Sequence, residues 1–82
     1  MVIAEFHPNF QKIFSKIKNN SLKEKIIKQF SKIKNNPEIG KPMRNVRKGT
    51  REVYIPPFRL SYAYLKDEDK IIFLDLYHKD EQ

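Results

Sequence analysis

Arginine, the side chain best suited to binding phosphate, is confined to one short part of this sequence. All four arginines lie between residues 44 and 59, whereas the 13 lysines are spread along the chain. A guanidinium group is planar, stays charged and can donate two parallel hydrogen bonds to a phosphate or a carboxylate. The segregation either is chance or marks a phosphate site. The candidates are Arg59 and a basic segment made of Arg44, Arg47, Lys48 and Arg51.

The net charge of +7 is unevenly distributed along the 82 residues. Residues 1–36 carry eight basic and two acidic groups, residues 37–64 six and two, and residues 65–82 three and six. A basic body of this kind favours a polyanionic partner such as nucleic acid, the ribosome or an acidic protein segment. A solvated lysine surface is the alternative for the lysines of the predicted helices, but it does not explain the arginines.

Length and composition predict a single small domain spanning residues 1–82. The chain has no cysteine, so it has no disulfide framework and no thiolate metal site. The opening residues become charged too early for a signal peptide, and no apolar run approaches the ~18 residues of a membrane span. We therefore expect a soluble cytoplasmic protein that does not contact the membrane and needs no metal or cofactor.

The N-terminal half reads as a strand followed by a helical hairpin. Residues 1–6 favour a short strand, and Pro8 suits the first turn of a helix predicted over residues 9–18. A second helix is predicted over residues 21–35, opened by a capping box between Ser21 and Glu24. Apolar residues recur at the spacing of one helical face in both segments. They are Phe10, Ile13, Phe14 and Ile17 in the first, and Leu22, Ile26, Phe30 and Ile33 in the second.

Beyond Pro42 the apolar pattern alternates, which predicts strands over residues 51–55, 58–65 and 71–78. Their short connections favour an antiparallel meander. Proline cannot adopt the positive φ of a tight two-residue hairpin, so we expect a loop of about four residues around Pro56 and Pro57. The expected fold is α+β, in the order β-α-α-β-β-β, with the helices on one face of a small antiparallel sheet.

Alternation also sorts the strand side chains between two faces of that sheet. Pairing Tyr54 with Arg59 and Leu60 with Leu76 gives one face that packs on the helices and one open face. The expected helix-facing set is Val53, Leu60, Tyr62, Leu74 and Leu76, with Tyr64 opposite Ile72. The expected open face holds Glu52, Tyr54, Arg59, Ser61, Asp75 and Tyr77, with Ala63 and Phe73 at one end.

Two arginines of this region receive different interpretations. Arg59 lies at the centre of the open face, so it is the principal site candidate. The alternative for Arg59 is an ordinary surface ion pair with Glu52 or Asp75, which would contribute little to stability. By parity Arg51 falls on the helix side at the start of its strand, and we interpret it as part of the flanking basic segment.

The order of these motifs resembles the RelE/ParE superfamily of toxins from type II toxin–antitoxin modules. The similarity rests on GKPMR at residues 40–44, Gly49 before a strand, FRLSY at 58–62, IIFLDL at 71–76 and the closing YHKDEQ. It covers essentially the whole chain, and its most specific element is the aromatic-Arg-apolar-x-Tyr pattern of the middle strand.

The resemblance implies a chemistry in which RelE-like members cut mRNA in the ribosomal A site without a metal. The ribose 2′-OH attacks the neighbouring phosphate, which requires a base, cationic donors for the phosphorane charge and an acid for the leaving oxygen. Arg59 matches the middle-strand arginine of the family, Lys79 a second cationic position, and His78 a histidine that serves acid–base roles in several members. The alternative for His78 is a structural residue at the end of a strand, on the Leu76 face. The family's C-terminal tyrosine has no match, so Tyr54 or Tyr77 is a candidate substitute.

The same resemblance leaves three functions open. They are a ribosome-dependent mRNA endonuclease, a non-enzymatic inhibitor of DNA gyrase like the ParE members, and a degenerate toxin that only binds its antitoxin. In each case the resemblance implies a cognate antitoxin with an acidic, partly disordered segment, and a possible toxin–antitoxin heterotetramer. The endonuclease would also bind the ribosome and mRNA.

The basic segment generates a prediction about binding. If Arg44, Arg47, Lys48 and Arg51 contact phosphates, each contact releases counterions, and affinity for ribosomes or RNA should fall steeply as salt rises. Replacing Arg47 and Lys48 with alanine should weaken binding broadly without moving the cleavage position. A salt titration of ribosome binding checks this, and an affinity unchanged between low and physiological salt would contradict it.

Overall fold

The computed structural model describes residues 2–42 and 49–78, which form two helices packed on one face of a five-stranded sheet. The strands are β1 (Ile3–Phe6), β2 (Lys41–Pro42), β3 (Thr50–Ile55), β4 (Phe58–Leu65) and β5 (Lys70–His78), and the helices are α1 (Pro8–Ser15) and α2 (Asn20–Asn35). The sheet order is β1-β5-β4-β3-β2. The α+β class and the predicted order of the main elements are confirmed.

The sheet is mixed rather than purely antiparallel, which corrects the sequence-based expectation. β1 pairs in parallel with β5, so that Ala4 lies opposite Ile71 and Phe6 opposite Phe73. A parallel neighbour cannot be reached by a tight hairpin, and here the connection from β1 to β5 runs through both helices and through β2, β3 and β4. The other three pairings are antiparallel, and β2 adds a two-residue edge strand that the sequence did not suggest.

The helix ends differ from the predicted ones for local reasons. α1 ends at Ser15, because the amides of Lys16 and Ile17 bond to carbonyls three residues back and tighten the final turn. α2 starts one residue early, and its N-cap is Asn19, whose side chain accepts a hydrogen bond from the amide of Leu22 at 3.1 Å. The predicted capping box at Ser21 is therefore wrong, although asparagine does the same work at this position.

The loop between β3 and β4 is also shorter than expected. Ile55 pairs directly with Phe58, so the connection consists of Pro56 and Pro57 alone, and the peptide bond between them is cis. A turn with a cis proline reverses the chain without the positive φ that proline forbids. The expectation of a loop of about four residues is therefore wrong.

A β-bulge in the last strand pair changes which residues of β5 are buried. Leu60 lies opposite Leu76 and Ser61 opposite Asp75, but Tyr62 then pairs with Phe73 instead of Leu74. The extra residue on β5 shifts the alternation by one, as bulges do. Phe73 and Ile71 consequently enter the core, where Leu74 and Ile72 were expected.

The core lies between the helices and the sheet. Its buried members are Phe10, Ile26, Ile33, Ile55, Leu60, Tyr62, Ile71, Phe73 and Leu76, with Val53, Phe14, Leu22 and Phe30 packed against them. Both predicted helical stripes thus face the sheet. Leu60 is fully buried on the side opposite to Arg59, so the predicted assignment of the two faces of β4 is confirmed.

Tyr62 and Arg51 form hydrogen bonds with the segment that follows α2, residues 37–40. The Tyr62 hydroxyl donates to the carbonyl of Pro37 at 2.8 Å and accepts from the amide of Gly40 at 2.9 Å. Burial raises the pKa of Tyr62, so the hydroxyl keeps its proton and stays a donor. Arg51 Nη1 donates to the carbonyls of Glu38 and Gly40. A Cβ at Gly40 would lie 2.6 Å from the Tyr62 hydroxyl, which explains glycine there.

Two neighbouring isoleucines of α2 test the position of the core. Ile26 is completely buried and Ile27 is 52% exposed. Ile26→Ala should lower the free energy of unfolding by about 2–5 kcal/mol through lost burial and a cavity. Ile27→Ala should change it by about 0.5 kcal/mol or less. Urea denaturation of the two variants measures the difference, and equal losses would contradict the packing of α2.

Candidate functional site

The open face of the sheet carries a polar cluster centred on a carboxylate rather than on the arginine alone. Glu52 on β3 is 7% exposed and holds two partners, one with each carboxylate oxygen. Oε1 accepts a hydrogen bond from Arg59 Nη1 at 2.9 Å, and Oε2 accepts one from the Tyr77 hydroxyl. Tyr54 lies beside them, with its ring centroid 5.5 Å from the Arg59 guanidinium carbon. We call Glu52, Tyr54, Arg59 and Tyr77 the open-face cluster.

The strand register explains why these four residues meet. Tyr54 pairs with Arg59, and Arg59 pairs with Tyr77 across the next strand boundary. Glu52 lies two residues from Tyr54 on the same strand, so both side chains point to the same face. Two predicted pairings, Tyr54 with Arg59 and Leu60 with Leu76, are observed, and they place Arg59 in the central strand.

In this cluster the Arg59 guanidinium is held by the Glu52 carboxylate, and some of its N–H donors are not used. The Arg59 side chain is 36% exposed, and its Nη1 is engaged by Glu52. Its Nε is buried and has no hydrogen-bond partner among the described residues. A buried polar group without a partner is uncommon and calls for an explanation. An anion that approaches this face would find a guanidinium fixed in orientation by Glu52 and Tyr54.

The two carboxylates suggested as partners of Arg59 have different roles. Glu52 forms an ion pair with Arg59, as the alternative interpretation of Arg59 expected. Asp75 Oδ1 instead accepts hydrogen bonds from the amide of Leu76 at 2.8 Å and from Asn9 Nδ2 at 3.2 Å. No motif or spacing in the sequence indicated that Asn9, at the start of α1, would reach the open side of β5.

The other described residues that were predicted for the site, His78 and Arg51, lie outside the open-face cluster. His78 pairs with Phe58, and their rings meet edge to face with centroids 5.6 Å apart. Its parity with Leu76 puts it on the helix side, as the alternation predicted. Arg51 donates to backbone carbonyls beyond α2. Arg44, Arg47, Lys48 and Lys79 lie outside the described residues, and their roles stay predictions.

Sequence reasoning overlooked the other histidine. His7 caps α1, and its Nδ1 accepts a hydrogen bond from the amide of Asn9 at 3.1 Å. With Asn9, Ser61 and Asp75 it lines a cleft on the open side of the sheet. The available signal was the His-Pro-Asn sequence, since a side-chain acceptor just before a proline at the first helical position is typical of an N-cap.

Among residues 2–42 and 49–78, no group of three or more histidine, acidic or cysteine side chains could hold a metal ion. None of the helices in those ranges is long and apolar enough to cross a membrane.

Comparison with known proteins gives a consistent family assignment. The family model described as the ParE toxin of the type II toxin–antitoxin system parDE matches residues 4–82. A comparison with curated protein sequences found no significant match.

Several solved structures share the fold at low sequence identity. A chain of the RelBE2 toxin–antitoxin complex of Mycobacterium tuberculosis superposes with a TM-score of 0.83 at 19% identity, covering 95% of this chain and 98% of that one. A chain of the intact Escherichia coli RelBE complex gives 0.81 at 12% identity, covering 95% and 96%. YafQ from E. coli gives 0.73 at 19% identity, covering 99% and 97%. At these identities the likeness establishes the fold.

The geometry of the open-face cluster predicts an energetic coupling between Glu52 and Tyr77. Their shared hydrogen bond should appear in a double-mutant cycle of Glu52→Ala and Tyr77→Phe as an interaction energy of about 0.5–3 kcal/mol. Tyr64 packs on the other face of the sheet, so the cycle of Glu52→Ala with Tyr64→Phe should be additive within about 0.5 kcal/mol. Chemical denaturation measures both cycles, and an uncoupled Glu52–Tyr77 pair would refute the contact.

Proposed function

The chain belongs to the ParE toxin family, within the RelE/ParE superfamily of type II toxin–antitoxin toxins, and from that premise we propose that it is a RelE-like, ribosome-dependent mRNA endonuclease. It would cut mRNA by attack of a ribose 2′-OH on the adjacent phosphate and so inhibit translation. The solved structures that share its fold include RelE-type toxins, which supports the RelE branch of the superfamily.

The observation that carries this proposal is the state of Arg59. Its guanidinium is partly exposed at the middle of a polar sheet face, and it is oriented by Glu52 and Tyr54. Such a preorganised donor stabilises charge that develops in a transition state without further reorganisation. A phosphorane carries more negative charge than the ground-state phosphodiester, so Arg59 would bind it more strongly.

The proposed reaction balances without any group from outside the RNA and protein. The 2′-oxygen forms a bond to phosphorus, and the bond from phosphorus to the 5′-oxygen breaks. The products are a 2′,3′-cyclic phosphate and a 5′-hydroxyl end. One proton leaves the 2′-OH and one joins the 5′-oxygen, so the site needs a proton acceptor and a proton donor.

Groups on both faces of the sheet are candidates for these proton transfers. On the open face, Glu52 can accept a proton and Tyr77 can donate one, and the two are hydrogen-bonded to each other. Tyr54 could stack on a base or replace the C-terminal tyrosine of the family. His78 and Lys79 are the candidates suggested by the resemblance, but His78 packs against Phe58 and would reach the phosphate only through a twist at the end of β5.

Basic residues outside the open-face cluster would also bind the RNA through its phosphates. The net charge of +7 and the arginines at 44, 47 and 51 favour phosphate contacts, which position a strand without reading its sequence. Lys48 would add a further cation in the same segment. Arg51 donates to Glu38 and Gly40 through Nη1, so its contribution to RNA binding would use the remaining donors of its fork.

We also propose that a cognate antitoxin binds this toxin. The similar RelBE and RelBE2 structures are toxin–antitoxin complexes. An acidic, partly disordered antitoxin segment would be attracted to the basic chain and could cover exposed apolar residues such as Ile27 and Ile39. A heterotetramer of two toxins and two antitoxins is the assembly that we expect.

Gyrase inhibition is the second candidate because the matching family model is that of the ParE toxin. Such an inhibitor needs a binding surface and no acid–base set. It would leave the preorganised Arg59 unused for chemistry, and for this reason we prefer the endonuclease. A degenerate toxin that binds only its antitoxin would show neither activity.

Replacement of Arg59 tests the proposed chemistry. Arg59→Ala should reduce cleavage of ribosome-bound mRNA by about 10²–10³-fold, the usual effect of losing one electrostatic donor. Arg59→Lys should recover part of the rate, because a lysine keeps the charge but lacks the bidentate fork. Growth inhibition in cells and primer extension on ribosome-bound mRNA measure both effects.

Lys70→Ala is the matched control for net charge. Lys70 lies on the neighbouring strand β5 and pairs with Glu5 at 3.1 Å, away from the open-face cluster. The Lys70→Ala variant should cleave mRNA at the wild-type rate. Circular dichroism should show that Arg59→Ala, Arg59→Lys and Lys70→Ala all keep the fold. A wild-type rate for Arg59→Ala would end the assignment, and a wild type that stalls gyrase but cuts no mRNA would replace the endonuclease with the second candidate.

A further inference from the structure

A carboxylate lies at the centre of the open-face cluster, although the proposed ligand of that cluster is itself negatively charged. Glu52 is 7% exposed, and acidic side chains are seldom buried to that degree unless they are paired. Burying an ion pair adds little net stability, because removing two charges from water costs about as much as their attraction returns. The stability of the fold therefore does not explain an acidic residue at this position.

Both carboxylate oxygens of Glu52 are bonded to side chains of the cluster. Oε1 accepts a hydrogen bond from Arg59 Nη1 at 2.9 Å, and Oε2 accepts one from the Tyr77 hydroxyl. The Glu52 side chain is 6% exposed, whereas the Arg59 side chain is 36% exposed. Glu52 is thus the buried end of the ion pair and Arg59 is the end that a ligand meets. Glu52 consequently acts on a ligand through Arg59.

The first effect of Glu52 is to hold Arg59 in one orientation. A long side chain loses rotamer freedom when it binds a ligand, and contacts that fix it beforehand remove part of that cost. The hydrogen bond from Nη1 to Glu52 is one such contact, and the Tyr54 ring beside the guanidinium is another. This effect favours binding of an anion by Arg59.

The second effect of Glu52 opposes binding, because its carboxylate repels a phosphate. Coulomb energy falls in inverse proportion to distance. A phosphate against the exposed part of the guanidinium lies roughly twice as far from the carboxylate as from the Arg59 charge, so the repulsion cancels about half of the attraction. Salt screens a buried charge such as Glu52 less than an exposed one.

We propose that Glu52 is a positioning residue that sets the strength of this anion site: it orients Arg59 and also limits the affinity of Arg59 for phosphate. The identity of the ligand as mRNA rests on the proposed function, whereas the effect of the Glu52 charge applies to any phosphate. Limited affinity suits an enzyme, because binding that the substrate and the transition state share equally lowers KM without raising kcat.

Inorganic phosphate is the first probe, because its binding does not depend on RNA cleavage. It is titrated into the full-length protein while NMR follows the Nε–Hε signals of the four arginines, and Arg59→Lys identifies the signal of Arg59. Glu52→Gln removes the charge but keeps an oxygen that accepts from Arg59 and an amide that can donate to the Tyr77 oxygen. The dissociation constant measured at Arg59 should fall about tenfold in Glu52→Gln, through loss of a partly screened repulsion.

Two further variants separate the charge of Glu52 from its orienting bonds and from net charge. Glu52→Ala removes the charge and both hydrogen bonds, so it should tighten phosphate binding less than Glu52→Gln does. It also keeps the charge effect testable if Glu52→Gln does not fold by circular dichroism. Glu24→Gln makes the same change of charge at an exposed position of α2, across the sheet from the cluster. Its affinity at Arg59 should stay within about twofold of wild type.

A short 2′-O-methyl RNA oligonucleotide is the second probe, since it binds but cannot be cut without its attacking hydroxyl. Glu52→Gln should steepen the fall of log affinity with log salt by about 0.7, the contribution of one further phosphate contact on a single strand. A purely structural role for Glu52 would leave this slope unchanged. In the mRNA cleavage assay, Glu52→Gln should lower KM.

The inference would be overturned by a phosphate affinity at Arg59 that stays the same or weakens in both Glu52 variants, or by no response at Arg59 in any protein. A fall in kcat of about 10²-fold for Glu52→Gln with KM unchanged would instead assign Glu52 to proton transfer and also overturn it. A wild type that cuts no mRNA would reject the endonuclease, and the phosphate titration would still decide the role of Glu52. A wild type that cuts mRNA while Glu52→Gln binds phosphate no more tightly would reject this inference and leave the endonuclease.

Discussion

The β-bulge where Ser61 and Tyr62 face β5 is the constraint that the rest of the molecule depends on. On one side of it Asp75 lies opposite Ser61, and on the other Phe73 lies opposite Tyr62. Without the extra residue, Leu74 would enter the core and Phe73 would face outward. The bulge lets β5 give Leu76 and Phe73 to the core from positions of opposite parity, and it leaves Asp75 and Tyr77 on the open side.

The residues at this bulge belong to the core on one face of the sheet and lie beside the candidate site on the other. Phe73 stacks with Phe6 and packs beside Phe30, so it links β1 and α2 through one aromatic cluster. Tyr62, its strand partner, holds the chain beyond α2 through Pro37 and Gly40. These buried contacts fix the sheet on its helix side. The polar face on the other side can then hold groups such as Glu52 and the Ser61 hydroxyl at a cost that the core offsets.

Much of this arrangement followed from periodicity in the sequence. Alternation identified the pairings of Tyr54 with Arg59 and of Leu60 with Leu76, and helical spacing identified the faces of α1 and α2. The bulge was not predictable in this way, because Phe73 and Leu74 are both apolar and either could fill the core. The cap at Asn19 was not predictable either, because helix ends vary by one or two residues and Ser21 offered an equally good cap.

The site was harder to predict than the fold for a related reason. Arg59 stood out because its residue type is rare here and its face could be deduced. Its environment depends on groups distant in sequence, such as Tyr77 against Glu52 and Asn9 against Asp75. Contacts of that kind arise from strand register and from the position of a helix end. A single sequence without aligned relatives records neither.

The parallel pairing of β1 with β5 sets the order in which the protein can be completed as it is synthesised. β1 is made first, yet its hydrogen-bonding neighbour in the sheet is the last of the described strands. β5 also supplies Phe73 and Leu76 to the core and Tyr77 to the open-face cluster. The core and the open-face cluster are therefore incomplete until β5 has been synthesised.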